Sequence, residues 1–168
     1  KGELVLFMDA DVFLVGKDWI RLAVQFLKDN PNAVAVQSIR WKYKKRDSLV
    51  NRYSNLFGIN DPFVLFFGKR GVLMATEEDW PFKQTIIKRT KDYFLAEFNT
   101  KNIPTLGAQG FVARRKAILK TSWKPYFFHL DANYELVEMG INQYVLAKLE
   151  VEHDYVRSLN EYFKKVYR

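Results

Sequence analysis

The chain has 168 residues, 48% of them hydrophobic and 16% aromatic, with no cysteine and a formal net charge of +8. A chain of that length and apolar content is one domain with a real core, so a disordered chain is excluded, and the missing cysteines exclude disulfides. The charge calls for an anionic partner, whether phosphates, an anionic membrane surface or nucleic acid. No apolar run approaches the ~20 residues that cross a bilayer, and no signal peptide is visible. The expectation is a cytoplasmic protein, peripheral to the inner face of the cell membrane. The chain opens without Met directly on an apolar run, which reads as a fragment whose upstream portion is missing.

Residues 4–8, Leu-Val-Leu-Phe-Met, are too short a run for a helix and predict a buried central strand. The run ends in two carboxylates, Asp9 and Asp11, spaced i, i+2. Open α/β sheets bind ligands in the crevice outside the carboxyl ends of their strands. Two acidic side chains there repel each other unless a proton or cation lies between them. A hard divalent ion shared with substrate phosphates relieves that repulsion; a polar turn is the competing reading.

Gly16-Lys17-Asp18-Trp19 predicts a helix start with Asp18 as N-cap. Trp19, Ile20, Ala23, Val24, Phe26 and Leu27 supply its apolar face, and Asn30-Pro31 stops it. Residues 33–36 form a second short strand, so the order strand, helix, strand predicts a parallel βαβ unit. Residues 40–46 interleave cations with aromatics, as a solvated face or a contact to phosphates or lipid headgroups. Residues 48–57 predict a helix with Leu49, Tyr53, Leu56 and Phe57 on one side, broken by Asn60-Asp61-Pro62. Residues 62–67 are apolar and are followed by Gly68-Lys69-Arg70-Gly71. They read either as an interfacial element, with aromatics inserting while cations meet headgroups, or as a core segment before a basic loop.

Residues 75–91 are polar and carry little pattern; strands are expected at 92–98 and 111–113. Between these strands Gly107 and Gly110 bracket a turn that only backbone approaches closely. An apolar, strand-like run at residues 126–130 leads into Asp131, expected to cap a helix that reaches Met139 with Gly140 at C′. A last strand at 144–151 ends at Glu152-His153. Residues 154–168 predict an amphipathic helix, with Tyr155, Val156, Leu159, Phe163 and Val166 apolar and Arg157, Lys164, Lys165 and Arg168 basic.

Asp-x-Asp after an apolar strand resembles the first motif of haloacid-dehalogenase-type phosphatases, with a nucleophilic first Asp and an acid second Asp. Phe13 stands where that family prefers Thr or Val, and no later acidic pair of the required form is present. The chain as a whole resembles the second half of a family 2 glycosyltransferase of the GT-A fold. Four segments in order carry this resemblance: residues 2–11 with Asp9 and Asp11; residues 104–115 with Gly107, Gln109 and Gly110; Phe128-His-Leu-Asp131 with Glu135 and Gly140; and Glu152-His153 followed by Ser158, Phe163, Lys164-Lys165 and Arg168. Asn60-Asp61-Pro62 is similar to a subgroup thought to act on lipid-linked or surface glycans. Two departures stand out: His129-Leu130 precedes Asp131 where the family commonly has an acidic pair, and the Gln-x-x-Arg-Trp signature of processive synthases is absent.

The resemblance implies an α/β fold, a mixed, mainly parallel sheet flanked by helices. It implies a single domain over residues 1–168 without its N-terminal nucleotide-binding half. The implied activity is inverting, metal-dependent transfer of a sugar from a nucleotide-diphosphate sugar to a glycan or lipid-linked acceptor. Asp9, Asp11 and His153 would hold Mg²⁺ or Mn²⁺, which neutralises the departing diphosphate. Asp131 would be the base that takes the acceptor proton, with Glu135 in reserve. Gly107, Gln109, Gly110, Lys165 and Arg168 would contact substrates. A non-catalytic, basic membrane-peripheral module is the alternative of another class. Nucleic acid is not an expected partner, because no RNP-type or Gly-x-x-Gly motif is present.

Overall fold

The structure, a computed structural model, describes residues 2–57, 62–71, 80–122 and 126–167. In chain order the elements are β1 (Leu4–Phe7), β2 (Val12–Leu14), α1 (Trp19–Asp29), β3 (Ala35–Lys42), α2 (Leu49–Phe57) and α3 (Pro62–Phe66). A 3-10 turn (Lys83–Thr85) leads into β4 (Ile86–Arg89) and β5 (Tyr93–Glu97). Then come β6 (Phe111–Arg114), α4 (Arg115–Ile118), α5 (His129–Glu138), β7 (Gln143–His153) and α6 (Leu159–Val166).

The strands form one open seven-stranded sheet in the order β1-β6-β3-β7-β5-β4. Strand β7 organises it. One edge pairs with β3; the other pairs with β5 through Gln143 to Ala147 and with β2 through Val151 to His153. The α/β class and the mixed sheet match expectation, but the sheet is not mainly parallel. Among the described residues only β3 and β7 pair in parallel; the other five pairings are antiparallel. The predicted βαβ unit is corrected in the same way. Strands β1 and β3 run in the same direction, but β6 lies between them antiparallel to both. Nor is β1 central: it is an edge strand of the described sheet, and Leu6 is 39% exposed.

Period-2 alternation builds a core on each face. Phe111, Ala113, Tyr144 and Leu146 face α4 and α5, while Val112, Val145, Ala147 and Val151 face α1. Both sides of β6 and β7 are therefore apolar, as a strand covered by helices on two faces requires. Helix α1 presents Trp19, Ala23, Phe26 and Leu27 inward, the i, i+4, i+7, i+8 stripe of an amphipathic helix; Ile20 faces out instead. Asp18 is at the N-cap, but its carboxylate accepts from Arg21 Nε at 2.9 Å and caps no backbone N–H.

Helix α2 is turned the other way. Its apolar side is exposed, with Leu49 at 77% and Leu56 at 49%, while Asn51, Ser54 and Asn55 are buried. The described aromatic side chains of residues 62–67 are not in the core either: Phe66 is 82% exposed and Phe63 and Phe67 are also exposed. The final helix begins later than expected. Ser158 caps it through Glu161 N–H, Glu161 in return accepts from Arg157 N–H, and residues 154–157 lie outside it. Strands β2 and β4 and helix α4 had no counterpart in the sequence reading.

Candidate functional site

The carboxyl ends of β1, β3 and β7 lie at one edge of the sheet, because these three strands point the same way. Strand β6 is antiparallel, so the loop that precedes it, residues 107–110, meets the same edge. Short β2 then folds the Asp9–Asp11 turn onto the end of β7. Val12 pairs with His153, and Asp154 N–H donates to Asp11 O at 2.9 Å.

Asp11 Oδ1 lies 3.3 Å from His153 Nε2, and Lys165 Nζ lies 3.8 Å from Asp11 Oδ2. Lys165 reaches back from α6, donates to Tyr155 O and stacks 4.4 Å over the Tyr155 ring. His153 is only 4% exposed and sits between the rings of Trp41 (5.1 Å) and Tyr155 (5.3 Å). Burial holds its pKa below the ordinary 6.5, and the charges of Asp11 and Asp9 oppose that without reversing it. The imidazole is therefore neutral at pH 7, as a metal ligand or hydrogen-bond acceptor must be.

The polar side of α2 supports this histidine. Asn51 and Asn55 both donate to His153 O, at 3.1 and 3.0 Å. Asn51 Oδ1 accepts from the N–H groups of Tyr155 and Val156 as the chain leaves β7. The inversion of α2 follows: where β7 stops, its backbone groups need partners, and two amides one helical turn apart supply them.

The facing wall is the start of α5. Phe7 stacks on Phe127 at 5.2 Å, which brings residues 127–131 beside the end of β1. His129 is half-buried; desolvation lowers its pKa, opposed by the charges of Asp9 and Asp131. Residues 107–110 lock against this wall. A Cβ at Gly107 (φ +111°) would come 2.6 Å from His129 Cβ, and Asn133 Nδ2 donates to His129 O and Leu106 O. Gln37, buried on β3, holds the loop from below: its Oε1 accepts from Gly107 N–H and its Nε2 donates to Ala108 O. Gln109 is held at φ +60°, the lone non-glycine with positive φ among the described residues. A side chain in that conformation is strained and is held there by its surroundings.

The structure thus brings Asp9, Asp11, His153, Lys165, Gly107, Gln109 and Gly110 to one edge, with Asp131 on the facing helix. Three readings change. Phe128, not Asp131, is the N-cap of α5, and Asp131 is an exposed residue of its first turn. Residues 126–128 form no strand, although Gly140 ends the helix as expected: Ile141 N–H bonds Leu136 O and Gly140 N–H bonds Val137 O. Glu135 points elsewhere, its Oε2 accepting from Ser122 N–H at 2.7 Å. In the basic run, Lys42 and Lys44 pair with Glu150 and Glu152 of β7. Arg168, Asn60 and Asp61 lie outside the described residues. The sequence reading missed Gln37, Asn51, Asn55 and the contribution of His129; polar residues interrupting an apolar strand at Gln37, and paired amides at Asn51 and Asn55, were the available signals.

Among the described residues, no three His, Asp or Glu side chains are grouped to hold a metal ion together, and no helix is long and apolar enough to cross a membrane. Asp131 lines a cavity of about 250 Å³ with Lys69, Thr105 and Tyr134. Compared with known proteins, the chain matches no family model, no curated protein and no solved structure.

Proposed function

We propose that this chain carries the catalytic edge of an inverting, metal-dependent glycosyltransferase. It would move a sugar from a nucleotide-diphosphate sugar to a glycan or lipid-linked acceptor at an anionic membrane surface. The observation that supports this best is the Asp11–His153 contact at the carboxyl edge of the sheet, with Asp131 on the wall that faces it. The donor types suit a hard divalent ion that is also held by substrate phosphates, since no three of the described side chains are grouped to hold one by themselves. Asp9 and Asp11 offer carboxylate oxygens, and His153 is kept neutral by burial. When bound by these residues, Mg²⁺ or Mn²⁺ would supply positive charge to the departing diphosphate.

The chain's own groups do the rest. Lys165 pairs with Asp11, so α6 adds positive charge where an anionic leaving group would lie. The loop at residues 107–110, pinned by Gln37 and Asn133, offers backbone and Gln109 to a substrate without a large reorganisation. Asp131, exposed beside a cavity, takes the acceptor hydroxyl proton; Glu135 is engaged by Ser122.

The test is release of nucleoside diphosphate from nucleotide sugars by the protein carrying this chain, with Mn²⁺ and with excess chelator. We expect Asp11→Ala to cost about 10²-fold or more in turnover and chelation to do the same. Full activity in excess chelator would sink the proposal.

A further inference from the structure

The inverted helix α2 leaves its apolar side facing the apolar side of α6 across a cleft. Leu49, Tyr53 and Leu56 form one wall and Leu159, Tyr162 and Phe163 the other, around a cavity of about 550 Å³. That volume falls in the ~300–1,000 Å³ range of small-ligand sites, whose linings are mostly apolar with a few polar groups. Here the polar group is Arg52, whose Nε is buried with no hydrogen-bond partner among the described residues. A buried guanidinium N–H without a partner is costly, and an anionic oxygen relieves that cost. Lys45 and Arg46 are exposed just before α2, and Lys164 is exposed beside Phe163 on α6.

Both walls are tied to the candidate site. Helix α2 bonds His153 O through Asn51 and Asn55, and α6 sends Lys165 to Asp11. An occupant of the cleft therefore packs against the two helices that brace the carboxylate–histidine edge. A second copy of this chain is a poor occupant, since each copy carries a net charge of +8. An apolar peptide helix would leave Arg52 Nε unanswered.

We propose that the α2–α6 cleft seats the hydrocarbon chain of a lipid phosphate, with Arg52 and the neighbouring cations on its phosphate. Its assignment as the anchor of a lipid-linked acceptor rests on the transferase reading; its binding of the amphiphile does not.

Hexyl, octyl and decyl phosphate, each kept below its critical micelle concentration, are titrated into the protein by calorimetry, with inorganic phosphate and octanol as controls. Affinity is expected to rise about fourfold per added methylene along the series. Inorganic phosphate should bind far more weakly than octyl phosphate. Phe163→Asp should abolish the chain-length dependence, and Leu56→Gln should reduce it from the opposite wall. Both residues are about half exposed, so neither change threatens the fold, which circular dichroism checks. Arg52→Gln should weaken the alkyl phosphates about tenfold or more and leave octanol unchanged.

A flat chain-length series, or unaltered binding by Phe163→Asp and Leu56→Gln, overturns the proposal. So does a wild-type dimer that Phe163→Asp converts to monomer in sedimentation, since the face would then be covered by another copy. Alkyl phosphate binding without any sugar-nucleotide turnover would leave the cleft intact and remove the transferase reading instead.

Discussion

Asp131 and Glu135 separate at the level of single side chains. They lie one helical turn apart, yet Asp131 is exposed beside a cavity and Glu135 bonds Ser122 N–H. On the proposed transferase reading, Asp131→Asn is expected to cut turnover by roughly 10²-fold while leaving donor affinity unchanged, because that reading makes Asp131 the proton acceptor alone. Glu135→Gln keeps a hydrogen-bond acceptor for Ser122 and should preserve turnover. The opposite pattern in steady-state kinetics would make Glu135 the base. The sequence placed Asp9, Asp11 and His153 at strand ends, because an apolar run stopping at a polar residue marks such an end locally. It did not reveal that Lys165 partners Asp11, since that contact spans most of the chain. Gln37 escaped for a similar reason: its glycine-loop partners are some seventy residues away.

At the level of elements, period and stop signals were legible and orientation was not. The apolar stripe of α2 correctly marked a helix, but a stripe indicates the core only when the opposite side has nothing better to bind. Here the polar side has four backbone hydrogen bonds at residues 153–156, so it faces inward. The start of α6 could have been read more closely, since Ser158 and Glu161 have the spacing of a capping box. Two glycines allow backbone strain and packing to be separated. Gly16 (φ +97°) has open space where a Cβ would go, whereas at Gly110 (φ +84°) a Cβ would come 2.9 Å from Trp19 Cζ2 and 3.0 Å from Val151 Cγ1. Gly16→Ala should cost about 1 kcal/mol, from backbone conformation alone. Gly110→Ala should cost about 1–3 kcal/mol more, as Trp19 must move within a packed core. Equal urea midpoints for the two variants would contradict the close packing of the loop against α1.

For the molecule as a whole, stability should depend on pH through its two histidines. Burial holds both below the ordinary value of 6.5, so the unfolded chain takes up protons more readily than the folded one as pH falls past that value. Their contribution to stability is therefore present above about pH 6.5 and is lost below it, until the folded histidines themselves protonate. The slope for buried His153 is at most about 1.4 kcal/mol per pH unit. Urea midpoints at pH 7.5 and 5.0 should differ in that direction, and His153→Gln should reduce the difference; identical midpoints would refute it. The α/β class was legible because alternating strand and helix patterns are local. The antiparallel majority was not, because β6 enters between β1 and β3 only after most of the chain has passed.

That late entry has a consequence during synthesis. The chain emerges amino end first, at roughly 5–20 residues per second. Strands β2, β3 and β5 all pair with β7, the last of the described strands to be made, and β1 must wait for β6. Until β7 emerges, β3 and β5 each keep an open edge, and the β1-β6-β3 and β5-β4 parts of the sheet join only when it arrives. Truncation anywhere before His153 would leave unpaired strands prone to associate between chains, not a smaller working domain.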